Sequence, residues 1–199
     1  ESGWDKAFSE DYAGAIVDLT IAIKSNPNYA AAYNNRGIAY KALGDYNTAI
    51  ADYTTAIRLD PSDAKAYNNR GIAYWNLGDY NTAIADFTTA IRLDPSDAAA
   101  YNNRGLAYSD LGEYNTAIAD YTTVIRLDPD VAGAYNNRGI AYKDLGDYKS
   151  AIADYTTAIR LDPDYAEAYY TRGNAYSDLG DYNTAIADYT TAIRLDPDY

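Results

Sequence analysis

The sequence predicts an all-α protein, a right-handed α-solenoid (superhelix) of stacked antiparallel helix pairs. Three observations predict it. The six prolines, Pro27, Pro61, Pro95, Pro129, Pro163 and Pro197, stand 34 residues apart throughout. Between successive prolines, apolar residues recur at helical spacing. Once in each of those intervals the spacing is broken by a Gly followed by Asp or Glu. A strict period of this length marks a repeat architecture, in which each unit buries its apolar stripe against its neighbours.

With Ala30 as the first residue of a unit, the full units are 30–63, 64–97, 98–131, 132–165 and 166–199. Residues 1–29 form a partial N-terminal unit, and the whole reads as one continuous repeat domain, 1–199. In the first full unit, Ala31 to Leu43 places Tyr33, Gly37, Tyr40 and Leu43 at helical spacing. Gly44 suits the left-handed position that ends a helix, and Asp45 suits the N-cap of the next. From Tyr46 to Leu59, the residues Tyr46, Ala49, Ile50, Tyr53, Ala56 and Ile57 form one helical face. Asp60-Pro61 stops that second helix, because the residue before Pro is pushed out of the helical region. The later units repeat these elements.

Composition removes several function classes. The 199 residues include no Cys, His or Met, so disulfides, zinc-thiolate sites and histidine general bases are excluded. Lys+Arg is 16 against Asp+Glu of 29, a formal charge of −13 that disfavours nucleic acid and anionic membrane surfaces as partners. No apolar run approaches the ~20 residues that span a bilayer. No targeting segment is recognisable, which points to a cytoplasmic setting without fixing the compartment. The start at Glu1 rather than Met reads as a processed or excised piece. The 24 tyrosines fall mostly at packing places, where each buried hydroxyl needs a partner.

The chain resembles the tetratricopeptide repeat family, whose pattern is Trp-x2-Leu-Gly-x2-Tyr, then Ala-x3-Phe, then Pro. Tyr33, Arg36, Gly37, Tyr40, Ala49, Tyr53 and Pro61 carry it in one unit. Tyr67, Arg70, Gly71, Tyr74, Ala83, Phe87 and Pro95 carry it in the next. Arg replaces Leu in every full unit, at Arg36, Arg70, Arg104, Arg138 and Arg172. A cation at an apolar packing place needs an anion. The second helices offer Asp18, Asp52, Asp86, Asp120, Asp154 and Asp188. Each Arg is expected to pair with an Asp of its own or the preceding unit, as a structural ion-pair ladder; the alternative is direct contact with a ligand.

The resemblance implies a protein–protein interaction module whose first helices line a groove for an extended peptide. That face would carry Asn34 and Asn35, Asn68 and Asn69, Asn102 and Asn103, and Asn136 and Asn137. An amide donates and accepts at once, so such a ladder can grip a peptide backbone. The second Asn of each pair stands at the place of the asparagine ladder in the O-linked N-acetylglucosamine transferase. The bland alternative is a solvated face copied by duplication. Tyr170 and Thr171 replace the pair in the last unit. Trp75 is a hot-spot candidate. Lys41 and Lys65 lie in the early units, with Asp110, Asp144 and Asp178 in the later ones. A partner with basic residues facing the acidic part follows. Asn34 and its equivalents stand where the family's carboxylate clamps carry Lys, so such a clamp is not expected.

No singular catalytic constellation is present, and neither a cofactor nor a metal is expected. A different class of function stays open. Gly3 is in register but Lys6 stands where Tyr is expected, and no polar cap helix follows the last pair at Tyr199. Head-to-tail association into a homo-oligomer is therefore an alternative, as is a consensus-like or designed array without a natural ligand.

Overall fold

The computed structural model describes residues 3–198, with side chains from residue 11 onward. The side chain of Lys6 and the whole of Tyr199 lie outside the described residues. The chain forms α1 (Gly3–Ser25), α2 (Ala30–Ala42), α3 (Tyr46–Leu59), α4 (Ala64–Asn76) and α5 (Tyr80–Leu93), then α6 (Ala98–Asp110) and α7 (Tyr114–Leu127). It continues with α8 (Ala132–Asp144), α9 (Tyr148–Leu161), α10 (Ala166–Asp178) and α11 (Tyr182–Leu195). No strand occurs among the described residues. No helix there is long and apolar enough to cross a membrane. Two compact units, Glu1–Ala100 and Tyr101–Tyr199, each have their own packing.

Local chemistry sets the helix boundaries. Gly44 has φ +79°, a left-handed conformation that ends α2 where a side chain would be strained. Asp45 then caps α3 by accepting from the Thr48 amide at 3.1 Å. At the same register the partial unit has Glu10 in place of this glycine, and α1 runs through the position as a single helix.

Packing within a repeat is fixed by one close approach. A Cβ on Gly71 would lie 2.6 Å from Phe87 Cε1, so a larger residue would force α4 and α5 apart. Within each compact unit, second-helix tyrosines also meet the next repeat's first helix on their other side. In the first unit Tyr53 and Ala49 pack with Ala73, flanked by Tyr40, Tyr46 and Ile50. In the second, Tyr155 and Ala151 pack with Ala175. Tyr53 and Tyr155 thus each join two repeats, and burying one such side chain contributes roughly 1.5–3 kcal/mol.

The tyrosine hydroxyls depart from expectation. Tyr189 donates to Asn174 Oδ1 at 2.9 Å. The Tyr53 and Tyr155 hydroxyls are buried with no hydrogen-bond partner among the described residues. Their rings fill the core well enough to hold the hydroxyl there regardless, and Phe87 shows that the ring without the hydroxyl fits the same place. An unsatisfied buried hydroxyl costs about 1–3 kcal/mol. Tyr53→Phe and Tyr155→Phe should therefore each raise stability by about 1 kcal/mol in urea titrations, whereas Tyr189→Phe should lower it by about 1 kcal/mol.

Candidate functional site

The arginines sit between helices. Arg36 donates from Nε to Asp52 Oδ2 at 2.7 Å and from Nη2 to Asp52 Oδ1 at 2.8 Å. Its Nη1 reaches the preceding repeat and donates to Thr20 Oγ1 at 3.0 Å. Arg70 repeats this with Asp86 and Thr54, Arg138 with Asp154 and Thr122, and Arg172 with Asp188 and Thr156. Arg104 makes the same two-pronged pair with Asp120. The Asp lies in the same repeat as the Arg in every case, and for Arg36, Arg70, Arg138 and Arg172 the preceding repeat supplies a threonine. Each guanidinium also lies over a first-helix ring, with Arg36 Cζ 5.7 Å from the Tyr33 centroid. The hydrogen bonds that Arg36 donates to Asp52 raise the Arg36 pKa above its ordinary value, against the opposing effect of burial. Asp18 lies outside this pattern and is exposed. Sixteen residues before it stands Ser2, outside the described residues, where later repeats have Arg.

The asparagine pairs divide into two roles. Asn34 is 9% exposed and Asn136 0%, so these two do not lie on an open face as the sequence suggested. The neighbouring first helix comes close enough to engage them. Asn69 Nδ2 donates to Asn34 Oδ1 at 3.2 Å, and Asn137 Nδ2 donates to Asn102 Oδ1 at 3.1 Å. Where the pair gives way to Tyr170 and Thr171, Thr171 Oγ1 donates to Asn136 Oδ1 at 2.9 Å, and Asn136 Nδ2 donates to Glu167 Oε1 at 3.3 Å. Asn35 is exposed, while Asn68 and Asn103 are half-buried. Asn34 thus faces inward and Asn35 outward, whereas Asn136 is buried and Asn69, Asn102 and Asn137 are half-buried. Neither Glu167 nor the bridging threonines were assigned these bonds from sequence. The threonines recur every 34 residues, which was the available signal.

The remaining candidates lie at several depths. In the first unit, Trp75 is half-buried and Lys65 exposed. Lys41 is half-buried there, and desolvation lowers its pKa. In the second, Asp110, Asp144 and Asp178 are exposed. Lys143 Nζ lies 3.4 Å from Asp144 Oδ1. A cavity of about 200 Å³ is lined by Leu106, Ser109, Asp110, Tyr121, Asn137, Ile140 and Asp144. Tyr121, at its floor, has its hydroxyl 3.4 Å from Ser109 Oγ. Burial pushes the Tyr121 pKa up to about 12. Tyr170 is exposed, its ring centroid 5.8 Å from that of Tyr189, and both line a pocket of about 370 Å³ with Asn174, Ala192 and Ile193.

Family models match the chain in sequence, and solved structures resemble it in fold. A family described as TPR repeat matches residues 39–78, 107–146 and 141–180. Two described as tetratricopeptide repeat match 64–97 and 166–199, and 20–51 and 87–119. No curated protein sequence matches the chain. The solved structure of MamA is similar, with 28% identity and a TM-score of 0.75 over 81% of this chain and 95% of that one. MamA from Desulfovibrio magneticus RS-1 is 25% identical, with a TM-score of 0.78 over 85% of this chain and 96% of that one. YrrB, described as a TPR protein with an unusual peptide-binding site, has 24% identity and a TM-score of 0.73 over 91% of this chain and 93% of that one. At that identity its likeness carries the fold alone.

The ion pairs allow a direct test. The Arg70 and Asp86 side chains are 17% and 8% exposed, so removing one partner strands the other in a largely buried place. Arg70→Ala should cost about 3–5 kcal/mol of stability. Arg70→Leu combined with Asp86→Ala should recover most of that loss in a denaturant double-mutant cycle.

Proposed function

The chain belongs to the tetratricopeptide repeat family, and on that premise we propose that it is a non-catalytic scaffold holding an extended peptide on its first-helix face. The observation that carries this reading is the amide lock between successive first helices. Asn69 spends one N–H on Asn34 Oδ1, and Asn137 spends one on Asn102 Oδ1. A carboxamide has a second N–H and a carbonyl oxygen with two lone pairs, which are the groups a peptide backbone pairs with. The inward asparagine fixes the rotamer of the outward one, so less side-chain entropy is lost when a ligand binds. Trp75 and Lys41 in the first unit, and Asp110, Asp144 and Asp178 in the second, supply preference among peptides. The charge of −13 favours a partner with basic residues.

Screening a peptide array with the chain and with its Asn69→Ala plus Asn103→Ala variant tests this. Each backbone hydrogen bond contributes about 1 kcal/mol. The double variant should bind the hits roughly tenfold to 30-fold more weakly. Unchanged binding of every hit removes the amide ladder as the gripping element.

A second reading, head-to-tail association of copies, is favoured by the outer face of α11. Tyr182, Ile186 and Ile193 are 65%, 61% and 52% exposed. Their counterparts on α9, Tyr148, Ile152 and Ile159, are half-buried, and Tyr148 and Ile152 pack in the cluster that includes Ala175 of α10. Light scattering across concentration should show mass rising above the monomer, with Ile186→Lys plus Ile193→Lys abolishing the rise. A constant monomer mass removes this reading.

A further inference from the structure

The cavity between α6 and α8 has a lining unlike that of the corresponding places in the other repeats. Its walls are paired by the repeat. Leu106 and Ile140 occupy one register position on successive first helices, and Asp110 and Asp144 occupy another one turn further along. The floor is Tyr121, 1% exposed, and Asn137 completes the lining. The cavity opens because Ser109 is small. At the same register stand Lys41, Trp75 and Lys143, each long enough to fill such a space with its own side chain, and Ser177, which is as small but lies on α10, with no further first helix among the described residues to form the opposite wall.

Size and chemistry limit the occupant. About 200 Å³ lies below the roughly 300–1,000 Å³ of small-molecule sites, and suits one long side chain. The apolar walls suit an aliphatic stem, while the two carboxylates at one end suit a cationic head. The Tyr121 hydroxyl shares a long hydrogen bond of 3.4 Å with Ser109 Oγ beside the cavity. Lys143 Nζ lies 3.4 Å from Asp144 Oδ1, and that pair is partly exposed and weak. A partner's cation seated between the walls would be better desolvated than Lys143.

We propose that this cavity is a side-chain subsite for a Lys or Arg residue of the bound peptide, with Leu106 and Ile140 holding the stem and Asp110 and Asp144 the charge. It rests on the groove reading and adds a sequence requirement to it. Ser109 sets the subsite's position by leaving the space open.

The test titrates the isotope-labelled full chain with three capped nine-residue alanine–serine peptides that differ at the centre, carrying lysine, norleucine or glutamate. The lysine peptide should bind at least tenfold more tightly than the norleucine peptide and shift the amide resonances of Ser109, Asn137 and Ile140. That advantage should vanish in Asp110→Asn plus Asp144→Asn. It should also vanish in Ser109→Lys, which copies the residue found at Lys41 and Lys143 and so keeps the fold. Equal affinity for the lysine and norleucine peptides overturns the subsite and leaves the groove reading standing. Failure of all three peptides to bind overturns both. Tighter binding of lysine that survives both variants overturns the placement at this cavity.

Discussion

The contact of a second-helix ring with a first-helix glycine is the constraint on which the rest of each unit depends. Phe87 lies so near Gly71 that no side chain can intervene, and the pairing of Tyr155 with Gly139 is the same. That approach sets the spacing of the helix pair. On their far side the Tyr53 and Tyr155 rings receive Ala73 and Ala175 of the following repeats, which sets the spacing between pairs inside each compact unit. With both distances fixed, successive first helices within a unit lie close enough for Asn69 to reach Asn34 and Asn137 to reach Asn102.

The arginine pairs show how polar chemistry can replace apolar packing at such spacing. Arg at the family's Leu place introduces a charge that must be matched, and both oxygens of Asp52 accept from Arg36. A buried pair of this kind gives little net stability over an apolar contact, but any packing that parts its members strands a buried charge. The third contact, from Arg36 to Thr20, extends that tie across the boundary between repeats.

Much of this was legible from sequence because the signals are local. Gly44-Asp45 and Asp60-Pro61 marked helix ends through backbone preferences, and the helices end there. The acid sixteen residues after each arginine was visible as a matching ladder. What was not legible depended on lateral placement of helices. Asn34 and Asn35 are adjacent in sequence and alike in chemistry, yet one is buried against the next first helix while the other is exposed. Nothing in their residue type separates them. The unsatisfied hydroxyls of Tyr53 and Tyr155 were hidden for the same reason, since a ring's fit and its hydroxyl's partner are decided by different neighbours. The cavity near Ser109 was half-visible. Its acids stood out as variable positions, but the space they border arises from a small residue that looked unremarkable.

The ties between helices also bear on how the chain reaches its structure. The arginine–aspartate bonds join residues 16 apart, and the asparagine locks join residues 35 apart. Closing loops of these lengths costs little chain entropy, and the cost grows only slowly with length. Topologies dominated by such short separations fold fast, and repeat arrays can nucleate at more than one place and grow outward. Only about half a repeat beyond a given arginine must be synthesised before its aspartate and threonine partners both exist. The bonds that tie neighbouring helices in the finished array can therefore close in the order of synthesis, before the later copies of the motif exist to compete for them.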